Sequence, residues 1–140
     1  NSTLGTIALL IDMKVKHGLI AYALNGIMSQ RLVRTICRAC RVTYTPGPEY
    51  LRYFNLNAGD HQFIKGTGCD MCHKTGYSGR TTIAEVLEID DDLKLLIVDH
   101  APMHKLREYC TNKKMPTLRD NAIKKIFADV TTCEEAAKVV

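Results

Sequence analysis

The chain has 140 residues, 46% of them apolar, with six cysteines, no tryptophan and a formal charge of +4. That length fits one domain or two small ones, and the apolar content is enough for a buried core, which excludes a disordered chain. No run of 18 or more apolar residues is present, which excludes a membrane-spanning helix.

The charge is uneven: residues 1–36 carry +3, residues 37–80 carry +3 and residues 81–140 carry −2. This mild basic bias lacks the dense, aromatic-interleaved stripe of a nucleic-acid binder. Residues 6–12 are apolar, but too short and without the basic flank and cleavage site of a signal peptide. The start at Asn1 in place of Met is read as a fragment or a processed product, and a targeting segment could lie upstream.

Along the chain, Leu4, Ile7, Ala8 and Ile11 fall at helical spacing behind Ser2 and Thr3 as N-caps. Ile20, Ala23, Leu24, Ile27 and Met28 repeat the stripe, so residues 3–30 are expected to form a helical pair. Its apolar faces have no visible partner nearby. Residues 31–36, RLVRTI, either continue the helix or open a strand. From 37 to 80 glycine and proline are frequent and apolar runs short, with one or two helical turns at 48–54 and a short strand at Phe63 and Ile64. Such a region cannot hold a hydrophobic core of its own.

Residues 81–89, TTIAEVLEI, read as a strand. Asp90 then caps a helix with Asp91 and Asp92 in its first turn. Pro102 opens another helix, and Thr117 with Asp120 and Thr132 with Glu135 read as capping boxes of two more. The expected fold class is therefore α+β and mostly helical, with short strands around the cysteines and a bundle of small helices at the C-terminal end.

Four cysteines stand in two C-x-x-C pairs, Cys37 with Cys40 and Cys69 with Cys72; Cys110 and Cys133 stand alone in helical segments. Tight pairs plus loners favour a metal site over a disulfide scaffold. Each pair can aim two thiolates at one ion, and two pairs complete a closed four-sulfur shell suited to structural zinc. The 28 residues between the pairs add little closure entropy. Iron, a redox dithiol and simple buried thiols are the alternatives for these residues. Cys69, Cys72 and His73 also spell the C-x-x-C-H signature of a covalently attached haem, but that leaves Cys37 and Cys40 without a role, and Asp70, Lys74, Thr75 and Gly76 are poor walls for a haem pocket. The remaining histidines, His17, His61, His100 and His104, read as structural or solvated.

QRLVRTICRAC (residues 30–40) and GCDMCHKTGYSGRTTIAEVLEI (residues 68–89) resemble the tetracysteine region of the type II secretion and type IV pilus assembly ATPases, most of all general secretory pathway protein E. LIDMKVK and ALNGIMSQRLVR resemble the segments that follow the histidine box of that family, and TLRDNAIKKI and TTCEEAAKVV its C-terminal end. The resemblance implies a hexameric, RecA-like P-loop ATPase at the cytoplasmic face of the inner membrane. Such a motor powers pseudopilin or pilin assembly, with other ring subunits and inner-membrane platform proteins as partners and no nucleic acid. It implies zinc on Cys37, Cys40, Cys69 and Cys72. It divides the chain into 1–36, the end of the ATPase domain; 37–80, a zinc-binding subdomain; and 81–140, a strand with a helical subdomain.

The chain departs from the family pattern at Arg38, Asn121, Ala122 and Asp129. No G-x-x-x-x-G-K-[ST] is present, so ATP and magnesium are expected only in the full-length parent and this chain is expected to be inert alone. A stand-alone zinc module binding nucleic acid is the competing reading. Arg80 is expected to bond local carbonyls or a carboxylate such as Glu85.

Overall fold

The computed structural model describes residues 2–140. Its elements run α1 (Thr3–Asp12), α2 (His17–Ala23), β1 (Gly26–Ile36), β2 (Arg41–Thr43), α3 (Pro48–Phe54), β3 (Ile64–Gly66), β4 (Tyr77–Glu88), α4 (Asp91–Val98), α5 (Met103–Asn112), α6 (Leu118–Phe127) and α7 (Cys133–Ala136). Single 3-10 turns at Arg38–Cys40 and Asp70–Cys72 follow Cys37 and Cys69. The class is α+β, as the patterning predicts: β1 pairs with β4, and β2 pairs antiparallel with β3, Val42 opposite Lys65.

The chain forms two compact units, each discontinuous in sequence. One contains residues 1–29 and 84–117, the other residues 30–83 and 118–140. The boundary falls inside both β1 and β4, so each unit holds part of that ladder.

In the first unit the expected helical pair is corrected. The helix beginning at His17 stops at Ala23, and Leu24 is already extended. Leu24, Ile27 and Met28 fit a helical stripe, but 26–36 is taken by strand pairing with β4. Tertiary pairing overrides a weak local period here. The missing partner for the apolar faces lies far along the chain: Ile7, Ile20 and Ala21 pack with Leu87, Ile89, Leu93, Ile97 and Leu106. Asp90 caps α4 as expected, accepting the Leu93 N–H at 3.0 Å. It also accepts the Tyr109 hydroxyl at 2.5 Å and the Lys113 ammonium at 3.3 Å from α5 and the turn after it. Pro102 occupies the cap position just before α5.

In the second unit Val33, Phe54, Phe63, Ile83, Ala122, Ile126, Cys133 and Ala136 form the core. The cysteine-rich stretch thus borrows apolar partners from α6 and α7. Thr132 caps α7 by accepting the Glu135 N–H at 3.2 Å, but the reciprocal half of the expected box is absent, because the Glu135 carboxylate grips the Arg34 guanidinium at 2.8 and 2.6 Å. Ile36 N–H donates to Val130 and the Thr131 hydroxyl to the Arg34 carbonyl, both at 2.9 Å. These bonds fasten the end of β1, and with it Cys37, to the α6–α7 turn.

Candidate metal centre

Cys37 follows β1 directly, and its N–H donates to the Gly76 carbonyl at 3.0 Å. The 3-10 turn after it brings Cys40 around, and the Cys40 carbonyl accepts the Thr67 N–H at 3.0 Å. The second knuckle repeats the turn at Cys69–Cys72. It closes through two consecutive left-handed residues, His73 (φ 50°) and Lys74 (φ 63°), so that Lys74 N–H reaches the Cys69 carbonyl at 2.8 Å. The Thr75 hydroxyl donates to the Cys72 carbonyl at 2.6 Å.

Glycines let the two ends of the second knuckle approach. A Cβ on Gly66 would lie 2.0 Å from the Gly76 carbonyl oxygen, and one on Gly68, already at φ +96°, would lie 2.6 Å from the Lys74 carbonyl oxygen. Neither space admits a side chain. These glycines and Thr75 are the supporting residues that the cysteine spacing alone does not single out. Glycines on both sides of the second knuckle, Gly66 and Gly68 before it and Gly76 after it, are the signal that marks them.

The four expected ligands converge. Sγ of Cys37 lies 3.9 Å from that of Cys69, Cys40 lies 3.9 Å from Cys72, and Cys69 lies 3.8 Å from Cys72. All four sulfurs fall within 4.8 Å of one another. A tetrahedral site with Zn–S bonds of about 2.3 Å requires sulfurs about 3.8 Å apart, so the donor set and its spacing fit zinc. They do not fit disulfides, whose sulfurs sit about 2.05 Å apart, and all six cysteines are free.

Backbone donors surround the sulfurs. Gly68 N–H points to Cys40 Sγ at 3.4 Å, while Cys69 and Gly76 N–H both point to Cys72 Sγ at 3.2 Å. The Cys69 and Gly76 amides pull the Cys72 thiol well below its ordinary range, toward the thiolate a metal needs. Cys37 and Cys72 are only 3% and 4% exposed.

The other candidates separate cleanly. His73 is exposed and stands outside the four-sulfur cluster, so the haem signature is a coincidence of sequence. Cys133 is fully buried in the second core, where burial pushes its thiol up to about 12, and Cys110 is half-buried against the first core. Three histidines read as isolated acquire partners: His17 packs on His100 with ring centroids 3.8 Å apart, and His61 meets the Asp129 carboxylate at 2.9 Å. Arg80 is exposed, and its side chain makes no hydrogen bond or ion pair among the described residues; Glu85 instead accepts the Thr3 N–H at 2.6 Å, serving the start of α1.

The family model described as type II/IV secretion system protein matches residues 1–138. The chain belongs to that family. A type IV pilus assembly ATPase of Thermus thermophilus is 38% identical over 96% of this chain. Type II secretion system protein E of Dickeya dadantii and the type II secretion system ATPase E of Vibrio cholerae are 37% and 33% identical, each over 99% of the chain. This secretion-family chain spans 16% of the length of the first of these relatives and 28% of the other two. Among its described residues no helix is long and apolar enough to cross a membrane.

Proposed function

We propose that this chain is the zinc-binding, C-terminal part of a secretion ATPase, in which Cys37, Cys40, Cys69 and Cys72 hold one structural zinc ion. The observation that carries the reading is the convergence of four sulfurs at tetrahedral spacing in a chain matched over residues 1–138 by the secretion family. Zinc bound there would supply folding energy and no chemistry, because four thiolates leave no open position. The second unit needs that energy: two of its four strands are three residues long.

In the parent, residues 1–36 would close a RecA-like nucleotide domain, 37–80 form the zinc subdomain and 81–140 the helical end. Hydrolysis of ATP with magnesium by a hexameric ring would power assembly of pseudopilins at the cytoplasmic face of the inner membrane, through platform proteins there. The similar identities to type II and type IV relatives favour a pilus motor as the second reading. The chain alone lacks a phosphate-binding loop and should hydrolyse no ATP.

The test is paired. The purified chain is assayed for ATP hydrolysis, and Cys37→Ser with Cys69→Ser is placed in the full-length parent. The expected results are background hydrolysis by the chain, and loss of both zinc and secretion by the substituted parent. Hydrolysis by the chain above background, or undiminished secretion without zinc, would contradict the proposal.

A further inference from the structure

Against the four-cysteine cluster, whose Cys37 forms part of one wall, the second unit carries a cleft of about 420 Å³. Its walls include Thr35, Arg38, Arg41, Met71, Ser78 and Val130. That volume lies within the range of specific ligand clefts. Arg38 and Met71 are contributed by the tips of the two knuckles, so the folded cysteine site sets the cleft's shape.

The electrostatics of the cleft are one-sided. Arg38 is exposed and forms no hydrogen bond or ion pair among the described residues. The Arg41 guanidinium donates only to the Asp129 backbone carbonyl, at 3.2 Å, while the Asp129 carboxylate is held by His61. Asp70, on the second knuckle, is engaged by Lys74 at 2.7 Å. No carboxylate lines the cleft. The whole unit carries twelve basic and seven acidic side chains, a formal +5, and four thiolates holding a divalent ion would still leave it positive. Met71 is 78% exposed, and with Val130 it gives the same cleft an apolar wall.

Two guanidiniums without carboxylate partners, set beside an exposed thioether, match a ligand that is both anionic and apolar. We infer that this cleft docks an acidic segment of a partner protein, with Asp or Glu side chains meeting Arg38 and Arg41 and an aliphatic side chain resting on Met71 and Val130. Forked guanidiniums suit carboxylates, and charge complementarity directs the encounter. A nucleic-acid backbone supplies the charge but not the aliphatic contact.

The test pans a random-peptide library against the purified chain, then titrates the selected peptides and a mixed-sequence oligonucleotide against chain variants whose zinc content is measured separately. Enrichment of Asp or Glu beside Leu, Ile, Val or Met is expected. The affinity should fall about tenfold or more in Arg38→Glu and Arg41→Glu, and fall as salt rises. Lys124→Glu makes the same charge change outside the cleft and should leave binding within about twofold. Met71→Ser should weaken the selected peptides without touching oligonucleotide binding. Failure to enrich acidic-aliphatic peptides, equal loss in Lys124→Glu, or an oligonucleotide that competes equally well would each overturn the inference. The zinc assignment is judged by metal content, so either idea can fail without the other.

Discussion

Glu135 illustrates how one side chain does two structural tasks. Its N–H is held by the Thr132 hydroxyl, while its carboxylate receives Arg34 and Lys138. The Arg34 fork holds the Glu135 carboxyl at about 2, against an ordinary 4.5. A depressed carboxyl stabilises the fold fully above its unfolded value and loses that contribution as the pH falls toward the folded one. Thermal stability should therefore drop between about pH 4.5 and pH 2, and Glu135→Gln should flatten that part of a melting-temperature profile. At neutral pH the substitution should cost on the order of 2 kcal/mol, discounted because the Arg34 side chain is 42% exposed.

Gly66 is the second residue whose chemistry can be isolated. An added methyl would meet the Gly76 carbonyl oxygen, so Gly66→Ala must spread the two ends of the second knuckle. A chelator competition assay should show zinc affinity reduced by at least tenfold, with far-ultraviolet dichroism nearly unchanged. Unaltered affinity would mean that the glycine contact does not set the spacing of the sulfurs.

At the scale of elements, caps and pairing divide the work. Asp90, two residues past the end of β4, begins α4 while bonding Tyr109 and Lys113. Asp90→Ala should destabilise the first unit by about 1 kcal/mol from the lost cap, somewhat more with the α5 bonds. A denaturant titration would read this as a lower midpoint at constant slope. The cap is legible in the sequence because Asp90-Asp91-Asp92 precedes a helical stripe, and so is the strand at 81–89, although β4 begins earlier, at Tyr77. The first part of β1 is not legible, because Leu24, Ile27 and Met28 satisfy a helical period equally well, and residues 31–36 read as helix or strand alike. Its identity comes from β4, which begins more than forty residues after β1 ends. The clustering of the four cysteines is legible because C-x-x-C is a local signature that distant contacts do not override. His61 with Asp129 and His17 with His100 are invisible for the opposite reason: each pair is joined only by the folded chain.

For the whole molecule, two units with separate cores imply separable responses to metal. Structural zinc contributes on the order of 10 kcal/mol of apparent folding energy, more than a small core supplies. With zinc bound as proposed, removing it should raise amide exchange throughout residues 30–83, while amides at Ile7, Leu93 and Leu106 in the first core keep most of their protection. Equal loss in both would show that the two units unfold as one. The most direct measurement of the central claim is X-ray absorption at the zinc edge on metal-quantified protein. The four-cysteine assignment predicts one zinc per chain with four sulfur neighbours near 2.3 Å, and four thiols released on chelation beyond any reactivity of Cys110. A first shell containing nitrogen or oxygen, or a stoichiometry well below one after reconstitution, would contradict it.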